Sequence, residues 1–331
     1  MEADHFIFAA ANAILYAKNF GLVRRYRRHT RHLPNTAFPR RYSERMLWRK
    51  MVDHNPQFVL FSDKLAAKEF MLQRCPELRV PRTLWTGRDA DDIPGELLHG
   101  DVYVKANHGC NFNHRVRNGC CDRATLRQLA ARWLASVYGR ENGEWGYHKV
   151  QPKLFVEEAV GDVEAGLIEF NVRACNGRAI LGSVLGKCKT PSQWAFYLDP
   201  EGRPVNKVSD PEGTPVPSLP ENFTAMEHYL RAVRFAKQLS AGVDYARFDF
   251  MWNGTELFGG EITLYPNAGI SDPANSHVNA LLLNGWDLLQ SHFLKSPQRG
   301  WKRIYAAALR RQLEKQPGII ASPETCGINL Q

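Results

Sequence analysis

The sequence lacks the long apolar run that a membrane-spanning helix needs. Such a helix takes roughly 18 or more consecutive apolar residues, whereas the apolar segment Phe6–Tyr16 is shorter and contains Asn12. The sequence also lacks a CxxC pattern, and its seven cysteines are odd in number and include the adjacent pair Cys120-Cys121. These absences argue against an integral membrane protein and against a disulfide framework. We therefore expect reduced thiols and a cytoplasmic location.

What the chain does contain is enough apolar material for a sizeable core and a local excess of positive charge. Of its 331 residues, 44% are hydrophobic and 11% aromatic, which excludes disorder for most of the chain. The net charge is +9, and the first 60 residues supply +7 of it through 11 Lys and Arg against 4 Asp and Glu. The basicity therefore belongs to the beginning of the chain.

The basic segment RRYRRHTRH follows the apolar segment near the start of the chain. Acids precede the apolar run and cations follow it, which is the reverse of the charge order in a secretory signal. The segment has one interleaved aromatic residue, which is too few for stacking on nucleic acid, so we expect no nucleic-acid partner. An apolar helix followed by cations favours binding to an anionic membrane surface through residues 1–50, with the protein peripheral at the inner membrane face.

Periodicity along the chain divides it into three parts. Residues 1–60 are predicted to form an apolar and basic helical leader, with Ser43 as a possible cap of a helix over 43–52. Residues 61–156 alternate helices and strands, including the helix DKLAAKEFMLQRC and the strand DVYVKA. Residues 157–331 are predicted to contain a hairpin that turns at Asn176-Gly177, the strands YARFDFMW and ELFGGEITLY, and a helical tail. The fold class that follows is α+β.

The segment ARFDFMWNGTELFGGEITLY carries the strongest candidate site. Strand periodicity places Arg247 and Asp249 on one face, and the next strand brings Glu261 and Thr263 to one face. If the two strands pair across the Asn253-Gly254 turn, these oxygen ligands converge in a way that suits Mg²⁺. The alternative is a purely structural Arg-Asp pair on a half-buried sheet, beside a glutamate that faces water.

Two further patterns are weaker when considered singly. Lys105 leaves the strand DVYVK for the loop that begins Asn107-His108-Gly109, a suitable place to bind phosphate, although an edge lysine before a turn would look the same. Lys64 in the predicted helix would ordinarily be solvated. Glu157 and Glu158 end a strand and could accept hydrogen bonds from an adenine amino group or a ribose hydroxyl, or could simply be surface charges. Cysteine and histidine residues also crowd the loop after Lys105, but their spacing matches no regular zinc site.

The order of these motifs is more specific than any one of them. The chain resembles the TupA-like ATP-grasp proteins, named for teichuronopeptide biosynthesis, through the segments LPNTAFPRRYSERMLW, SDKLAAKEF, VKANHG and LFGGEITLYPNAG. The resemblance extends over roughly residues 33–275. It implies an ATP-grasp fold in which a nucleotide is held between two α+β subdomains, here preceded by the basic helical leader, and it implies ATP and Mg²⁺ as cofactors.

The resemblance also implies roles for individual residues. Lys64 and Lys105 would hold the ATP phosphates, with the loop from Asn107 to Asn113 closing over them, and Arg247 would stabilise charge on the phosphoryl oxygens. Asp249 and Glu261, with Thr263, would hold Mg²⁺. The remaining implied nucleotide-binding residues are His108, Gly109, Glu157, Glu158, Val160, Glu164, Glu169 and Lys187.

Two departures from the family pattern concern this site. The phosphate loop contains Cys110 and Asn111 where the family is richer in Gly and Ser, and Glu169-Phe170-Asn171 replaces an Asp-aromatic-Lys triplet, with the loss of one cation. The activity implied is an ATP-dependent carboxylate-amine ligase that forms an amide through an acyl phosphate. Its substrates would be a small-molecule or glycan carboxylate and an amine, for example a uronic acid of a surface polysaccharide receiving an amino acid. The alternatives are an ATP-grasp kinase acting on a sugar hydroxyl and a non-catalytic, membrane-associated ATP-binding protein.

Overall fold

A computed structural model describes residues 2–162, 166–188, 190–205 and 223–315. The chain forms two compact units, one from Met1–His54 and Gly269–Gln331 and the other from Asn55–Ala268. The first boundary lies close to the predicted one at residue 60. The segment from Gly269 onward, which we expected to belong with residues 157–268, groups with the beginning of the chain instead, because its helices share a core with the leader.

The predicted helices and strands occur in the predicted order, but the strands at Asn113–Val116 and Trp194–Leu198 were not predicted. The helices in the described residues are α1 (Glu2–Lys18), α2 (Phe20–Thr30), α3 (Tyr42–Met51), α4 (Gln57–Ser62), α5 (Lys64–Arg74), α6 (Arg123–Ala135), α7 (Met226–Leu239), α8 (Ser276–Gly285), α9 (His292–Lys295) and α10 (Trp301–Lys315). The strands in those residues are β1 (Thr83–Gly87), β2 (Val102–Ala106), β3 (Asn113–Val116), β4 (Leu154–Glu158), β5 (Ile168–Cys175), β6 (Arg178–Gly186), β7 (Trp194–Leu198), β8 (Ala246–Trp252) and β9 (Leu257–Thr263).

The unit formed by the two ends of the chain is helical. Its core centres on Tyr305 of α10, whose hydroxyl accepts a hydrogen bond from Trp48 Nε1 at 2.7 Å and donates to the Ala37 carbonyl at 2.9 Å. Burial of this ring is expected to contribute about 2 kcal/mol. Helix α3 begins after Arg41 rather than after the predicted cap Ser43, because the Glu44 carboxylate accepts from the Arg41 amide at 3.1 Å.

The leader is helical, as expected, and its two helices meet at a sharp bend. Helices α1 and α2 are inclined by 100° to each other across Asn19. Within the described residues no single helix has the length and apolarity to cross a bilayer, and only the bent pair taken together satisfies both criteria.

The first sheet of the unit Asn55–Ala268 is antiparallel, with the strand order β1-β4-β2-β3. One face packs on α6, where Val104 and Val156 meet Leu126, Ala130 and Trp133. Residues alternate between the faces of a strand, so Lys105 and Glu157 lie on the opposite face. That face is polar and belongs to the candidate site.

The second sheet is also antiparallel, with the order β7-β6-β5-β8-β9. Phe170 and Phe250 are register partners on one face, which packs against α7, where Phe235 stacks on Phe250 and Tyr229 contacts Phe170. Their neighbours along the strands, among them Asp249, therefore lie on the other face. Two sheets with helices on one face of each give the predicted α+β architecture.

Candidate active site

Asn107 fixes the position of the phosphate loop relative to α5. This buried amide donates to Asp63 Oδ1 at 3.0 Å and to the Gln151 carbonyl at 3.1 Å, and its Oδ1 accepts from the Lys153 amide at 2.8 Å. Asp63 is in turn the N-cap of α5 and accepts from the Leu65 amide at 3.0 Å. Asn107 therefore sets the position of Lys64, the first residue of α5, relative to the end of β2.

Glu157 is the charge partner of two lysines. Lys68 of α5 donates to its Oε2 at 2.6 Å, and Lys105 of β2 donates to its Oε1. The Glu157 side chain is only 6% exposed and that of Lys68 is 9% exposed. Burial disfavours the carboxylate, but Lys105 and Lys68 outweigh that effect and hold the pKa of Glu157 below its ordinary value. This buried triad carries one net positive charge.

The second group of charges lies on the polar face of the second sheet. Arg247 binds Asp249 through two hydrogen bonds of 2.7 Å, and Thr263 Oγ1 donates to Asp249 Oδ2 at 3.0 Å. Lys64 donates to Glu261 Oε1, which connects α5 to β9. Each carboxylate therefore has a cation beside it, as buried or half-buried charges require.

A β-bulge at Gly260 brings the two acids together. Asp249 is the register partner of Glu261, whereas Phe250 pairs with Gly259, so Gly260 is an extra residue in β9. Because side chains alternate along a strand, pairing without this extra residue would place Glu261 on the apolar face. A Cβ atom at position 260 would lie 3.1 Å from the Asp249 carbonyl oxygen, so a glycine fits the bulge best. The sequence pair Gly259-Gly260 is the signal for this feature.

Electrostatic effects link the two groups. Burial opposes charge on Glu261, yet Lys64, Arg247 and Lys105 together hold the pKa of this carboxyl below its ordinary value. Burial likewise opposes the charge on Lys64, but Glu261 outweighs it and raises the pKa of Lys64. We refer below to Lys64, Lys68, Lys105, Glu157, Arg247, Asp249, Glu261 and Thr263 as the charged cluster.

His108 and Gly109 shape the loop that follows Lys105. The His108 ring is buried, its Nε2 lies 3.1 Å from the Trp133 carbonyl, and burial lowers its pKa. The ring therefore anchors the loop to α6, and the roles of His108 and Gly109 toward ATP stay predictions. A side chain at Gly109 would collide with the Phe112 ring, whose Cδ2 would lie 2.5 Å from the added Cβ, so glycine allows the tight packing.

The predicted adenine-binding residues have other partners. Glu157, expected to accept from an adenine amino group, contacts Lys68 and Lys105. Glu158 binds the Arg82 side chain at 2.7 Å, and the Val160 carbonyl accepts from Asn253 Nδ2 at 2.7 Å. These contacts do not test the roles of Glu157, Glu158 and Val160 toward adenine, which stay predictions.

A cleft of about 1360 Å³ lies beside this segment. Glu158, Ala159 and Val160 line it, together with Lys68 and Arg82. The volume exceeds that of most small-molecule pockets, so a base could approach the strand end here through backbone groups.

The other predicted residues lie farther along the second sheet. Glu169 of β5 is the register partner of Met251 and lies on the polar face. Lys187 follows β6 in a turn, with φ of 50°, and its carbonyl accepts from the Thr190 amide. Glu164 lies outside the described residues.

The oxygen atoms present fit a magnesium ion that is shared with a substrate. Mg²⁺ is usually held by one or two carboxylates plus substrate phosphates rather than by a cage of protein ligands. Asp249 and Glu261 are adjacent across two strands on one face, with the Thr263 hydroxyl 3.0 Å from Asp249. Within the described ranges no group of three or more His, Cys, Asp and Glu residues forms a metal cage. The protein would thus contribute two carboxylate ligands to the magnesium ion.

Sequence reasoning missed Lys68 and the central role of Asn107. Lys68 is four residues after Lys64, so the two lysines share one face of α5. That spacing, combined with the expectation that Lys64 binds phosphate, could have identified Lys68. The three side-chain hydrogen bonds of Asn107 join it to segments distant in sequence, and no local pattern predicts them.

Solved structures offer only distant similarity. The ATP-grasp ligase PsnB, solved with a phosphomimetic variant of its minimal precursor, Mg and ADP, is 14% identical, with 72% of this chain and 65% of that chain covered and a TM-score of 0.38. An L-amino acid ligase from Bacillus licheniformis is 13% identical over 68% of this chain and 48% of that chain, with a TM-score of 0.40. D-alanine–D-alanine ligase from Bacillus anthracis is 15% identical over 70% and 69%, with a TM-score of 0.39. This chain thus spans less than two thirds of the first two.

The comparison with family models, unlike the one with solved structures, shows which family the chain belongs to. The comparison with curated proteins gives no match. The family model for TupA-like ATP-grasp proteins matches residues 44–284, which include every residue of the charged cluster and most of the chain. The chain therefore belongs to the TupA-like ATP-grasp family and has the α+β fold of that family.

Proposed function

We propose that the protein is an ATP-dependent carboxylate-amine ligase that releases ADP and phosphate. The observation that carries the proposal is the convergence of the charged cluster, in which Asp249 and Glu261 adjoin on one sheet while Lys64 and Lys105 reach the same region from a helix and a second sheet. Cations and carboxylates in this arrangement suit a nucleotide triphosphate and Mg²⁺.

Binding of ATP would exchange the partners of the charged cluster. The phosphate oxygens would take over Lys64 and Lys105, which now contact Glu261 and Glu157. Asp249 and Glu261 would hold Mg²⁺, which supplies charge neutralisation to the phosphates when bound. The backbone of Glu158–Val160 would contact the adenine edge, since it lines the adjoining cleft.

The reaction has two steps whose atoms balance. A carboxylate oxygen of the substrate attacks the γ-phosphorus, the bond between that phosphorus and the β–γ bridging oxygen breaks, and ADP leaves with the electron pair. An amine lone pair then attacks the acyl carbon, the carbon–oxygen bond to phosphate breaks, and inorganic phosphate leaves as the amine loses one proton to it. Arg247 would steady the transferred phosphoryl group through its planar donors, and Lys105 would neutralise charge on the leaving phosphate.

Family membership favours a substrate on the way to a surface polysaccharide, for example a uronic acid that receives an amino acid. An ADP-release screen of sugar acids against amino acids tests this assignment. Hydroxylamine, added with ATP and an active sugar acid, should give a hydroxamate, because it intercepts an acyl phosphate. A stable phosphorylated sugar without hydroxamate would instead establish the alternative of a kinase.

We also propose that the leader holds the enzyme at the inner face of the cytoplasmic membrane. Helix α2 has four arginines and no acidic residue in eleven positions. Phe6 and Phe20 are 73% and 68% exposed, so apolar rings accompany the cations on this unit. Exposed rings and cations are what an anionic lipid surface binds. Deleting the whole leader is a poor test, because Leu15 and Tyr26 belong to the core of their unit.

A further inference from the structure

A row of polar side chains crosses the polar face of the second sheet. The row follows the register of β7, β6, β5, β8 and β9, and consists of Tyr197, Ser183, Asn171, Asp249 and Glu261. Only the last two belong to the charged cluster. The other three extend the row away from the proposed magnesium ligands, which leaves them to be explained.

Arg173 lies beside this row, and its guanidinium forms no ion pair with any residue that the structure describes. It is the register partner of Arg247 on the adjacent strand, and like charges placed directly opposite each other destabilise a sheet. Arg247 has Asp249 as its partner. Arg173 instead donates to Ser183 Oγ at 3.1 Å and to the Asn171 carbonyl at 3.2 Å, and it lies over the Tyr197 ring. Throughout the described ranges no carboxylate lies within ion-pair distance of it.

Asn171 gives a second, independent observation. Its side chain is 6% exposed, and its Oδ1 has no hydrogen-bond partner among the residues that the structure describes. A buried carbonyl oxygen without a donor costs free energy, so such an atom in a site calls for a ligand that donates. By register, Asn171 lies between Ser183 and Asp249, two residues along β5 from Arg173.

We propose that Arg173 and Asn171 bind the amine substrate, and that this substrate is an α-amino acid. Its carboxylate would bind the Arg173 guanidinium, and its amine would donate to Asn171 Oδ1 beside Asp249, where the acyl phosphate forms. This assignment rests on the proposed ligase function and adds the residues that bind the amino-acid acceptor. In an α-amino acid the amine and the carboxylate are separated by one carbon. They match the unpartnered Oδ1 of Asn171 and the guanidinium of Arg173, which lie at neighbouring positions on one face of the sheet.

The test is ligand-observed NMR with a mixture of the twenty L-amino acids and their D-enantiomers, in the presence of Mg²⁺ and a non-hydrolysable ATP analogue. We expect binding of one or a few amino acids and none of the corresponding carboxamides. Arg173→Gln should weaken that binding by about tenfold to a hundredfold, the value of a charge-assisted pair. Arg173→Lys should restore part of it, and Asn171→Leu should also weaken it. Arg132→Gln removes an exposed arginine of α6 and is the charge-matched control. Amino-acid binding should be unchanged in this variant.

Binding of the ATP analogue, measured on the same samples, separates this inference from the proposed function. Normal binding of the analogue by every variant, together with no amino-acid binding by the wild type, would overturn the acceptor assignment and leave the ligase proposal standing. Amino-acid binding that Arg173→Gln does not change would also overturn it. Binding of uronic acids alone, lost in Arg173→Gln, would assign Arg173 to the carboxylate donor and contradict the proposal.

Discussion

In the charged cluster every lysine and arginine contacts a carboxylate, whereas helix α2 carries four arginines and no acidic residue. The first arrangement holds each charge in place within a few ångströms of an opposite one. The second spreads its charge over an exposed surface. We propose that cations of the same type would serve two purposes here, an organised site for ATP and a diffuse positive field for an anionic membrane surface. The predictions below test whether the two regions differ in this way.

The largest effect should come from the two proposed magnesium ligands. Asp249→Asn and Glu261→Gln preserve size and remove one negative charge each. Each substitution should lower ATP-dependent hydroxamate formation by about a thousandfold, since metal and phosphate alignment supply much of the catalysis. Thermal unfolding, as the control, should show that both variants remain folded. Full activity in both variants would contradict the assignment of Asp249 and Glu261 as magnesium ligands.

The next effect concerns stability. Glu157→Gln should lower the free energy of unfolding by about 3 kcal/mol at neutral pH, because it leaves two largely buried lysines without their carboxylate. Glu158→Gln is the matched control: its partner Arg82 is exposed, so the loss should be under about 0.5 kcal/mol. Urea unfolding measures both. Equal losses would mean that the buried triad has no special role.

The same pair gives a pH prediction. Burial raises the pKa of Glu157, but Lys105 and Lys68 lower it by more than burial raises it. The folded-state pKa is therefore below the ordinary value of 4.5. The stabilisation from this group is therefore present above about pH 4.5 and is lost as the pH falls through the folded-state pKa. Glu157→Gln should have a shallower decline of stability in that acidic range than the wild type.

Asn107→Ala should have a slightly smaller effect on stability. The buried amide makes three hydrogen bonds to Asp63, Gln151 and Lys153, so its removal should cost about 2 kcal/mol. It should also weaken ATP binding, because Lys64 and Lys105 lose their common support. Asn111→Ala, in the tip of the same loop, is the comparison variant. Weaker ATP binding in Asn111→Ala than in Asn107→Ala would contradict the role of Asn107.

The smallest effect belongs to the leader. Arg27→Gln should weaken sedimentation with phosphatidylserine-containing vesicles by about 1 kcal/mol, or roughly fivefold, because each basic residue near an anionic surface contributes about that much. Added salt should weaken binding further, whereas phosphatidylcholine vesicles should show little binding at any salt concentration. Unchanged sedimentation in Arg27→Gln, with Arg132→Gln as the control, would reject the membrane proposal.

The sequence was sufficient to predict helix α5, strands β2, β8 and β9, and the face that carries Arg247, Asp249, Glu261 and Thr263, but not strands β3 and β7. Alternation along β8 needs no tertiary information, and the Gly-Gly pair permits the bulge that keeps Glu261 on the same face. The TupA-like ATP-grasp resemblance, carried by ordered motifs, is confirmed by the family match over residues 44–284.

Partner identities could not be predicted in the same way. The contacts of Glu157 with Lys68 and Lys105, which lie 89 and 52 residues away in sequence, were not predicted. The return of the C-terminal helices to the leader was missed for the same reason: the Trp48–Tyr305 contact joins residues 257 positions apart. Local patterns fix which face a residue occupies, and long-range packing decides what it touches there.

The central claim is that the charged cluster is a site for ATP with Mg²⁺. The most direct measurement is the equilibrium binding of a fluorescent ATP analogue with and without Mg²⁺, in the wild type and in the variant that combines Asp249→Asn with Glu261→Gln. We predict that Mg²⁺ tightens binding to the wild type by about tenfold or more and has little effect on the variant. Binding that responds equally to Mg²⁺ in both proteins, or that Mg²⁺ leaves unchanged in the wild type, would contradict the claim.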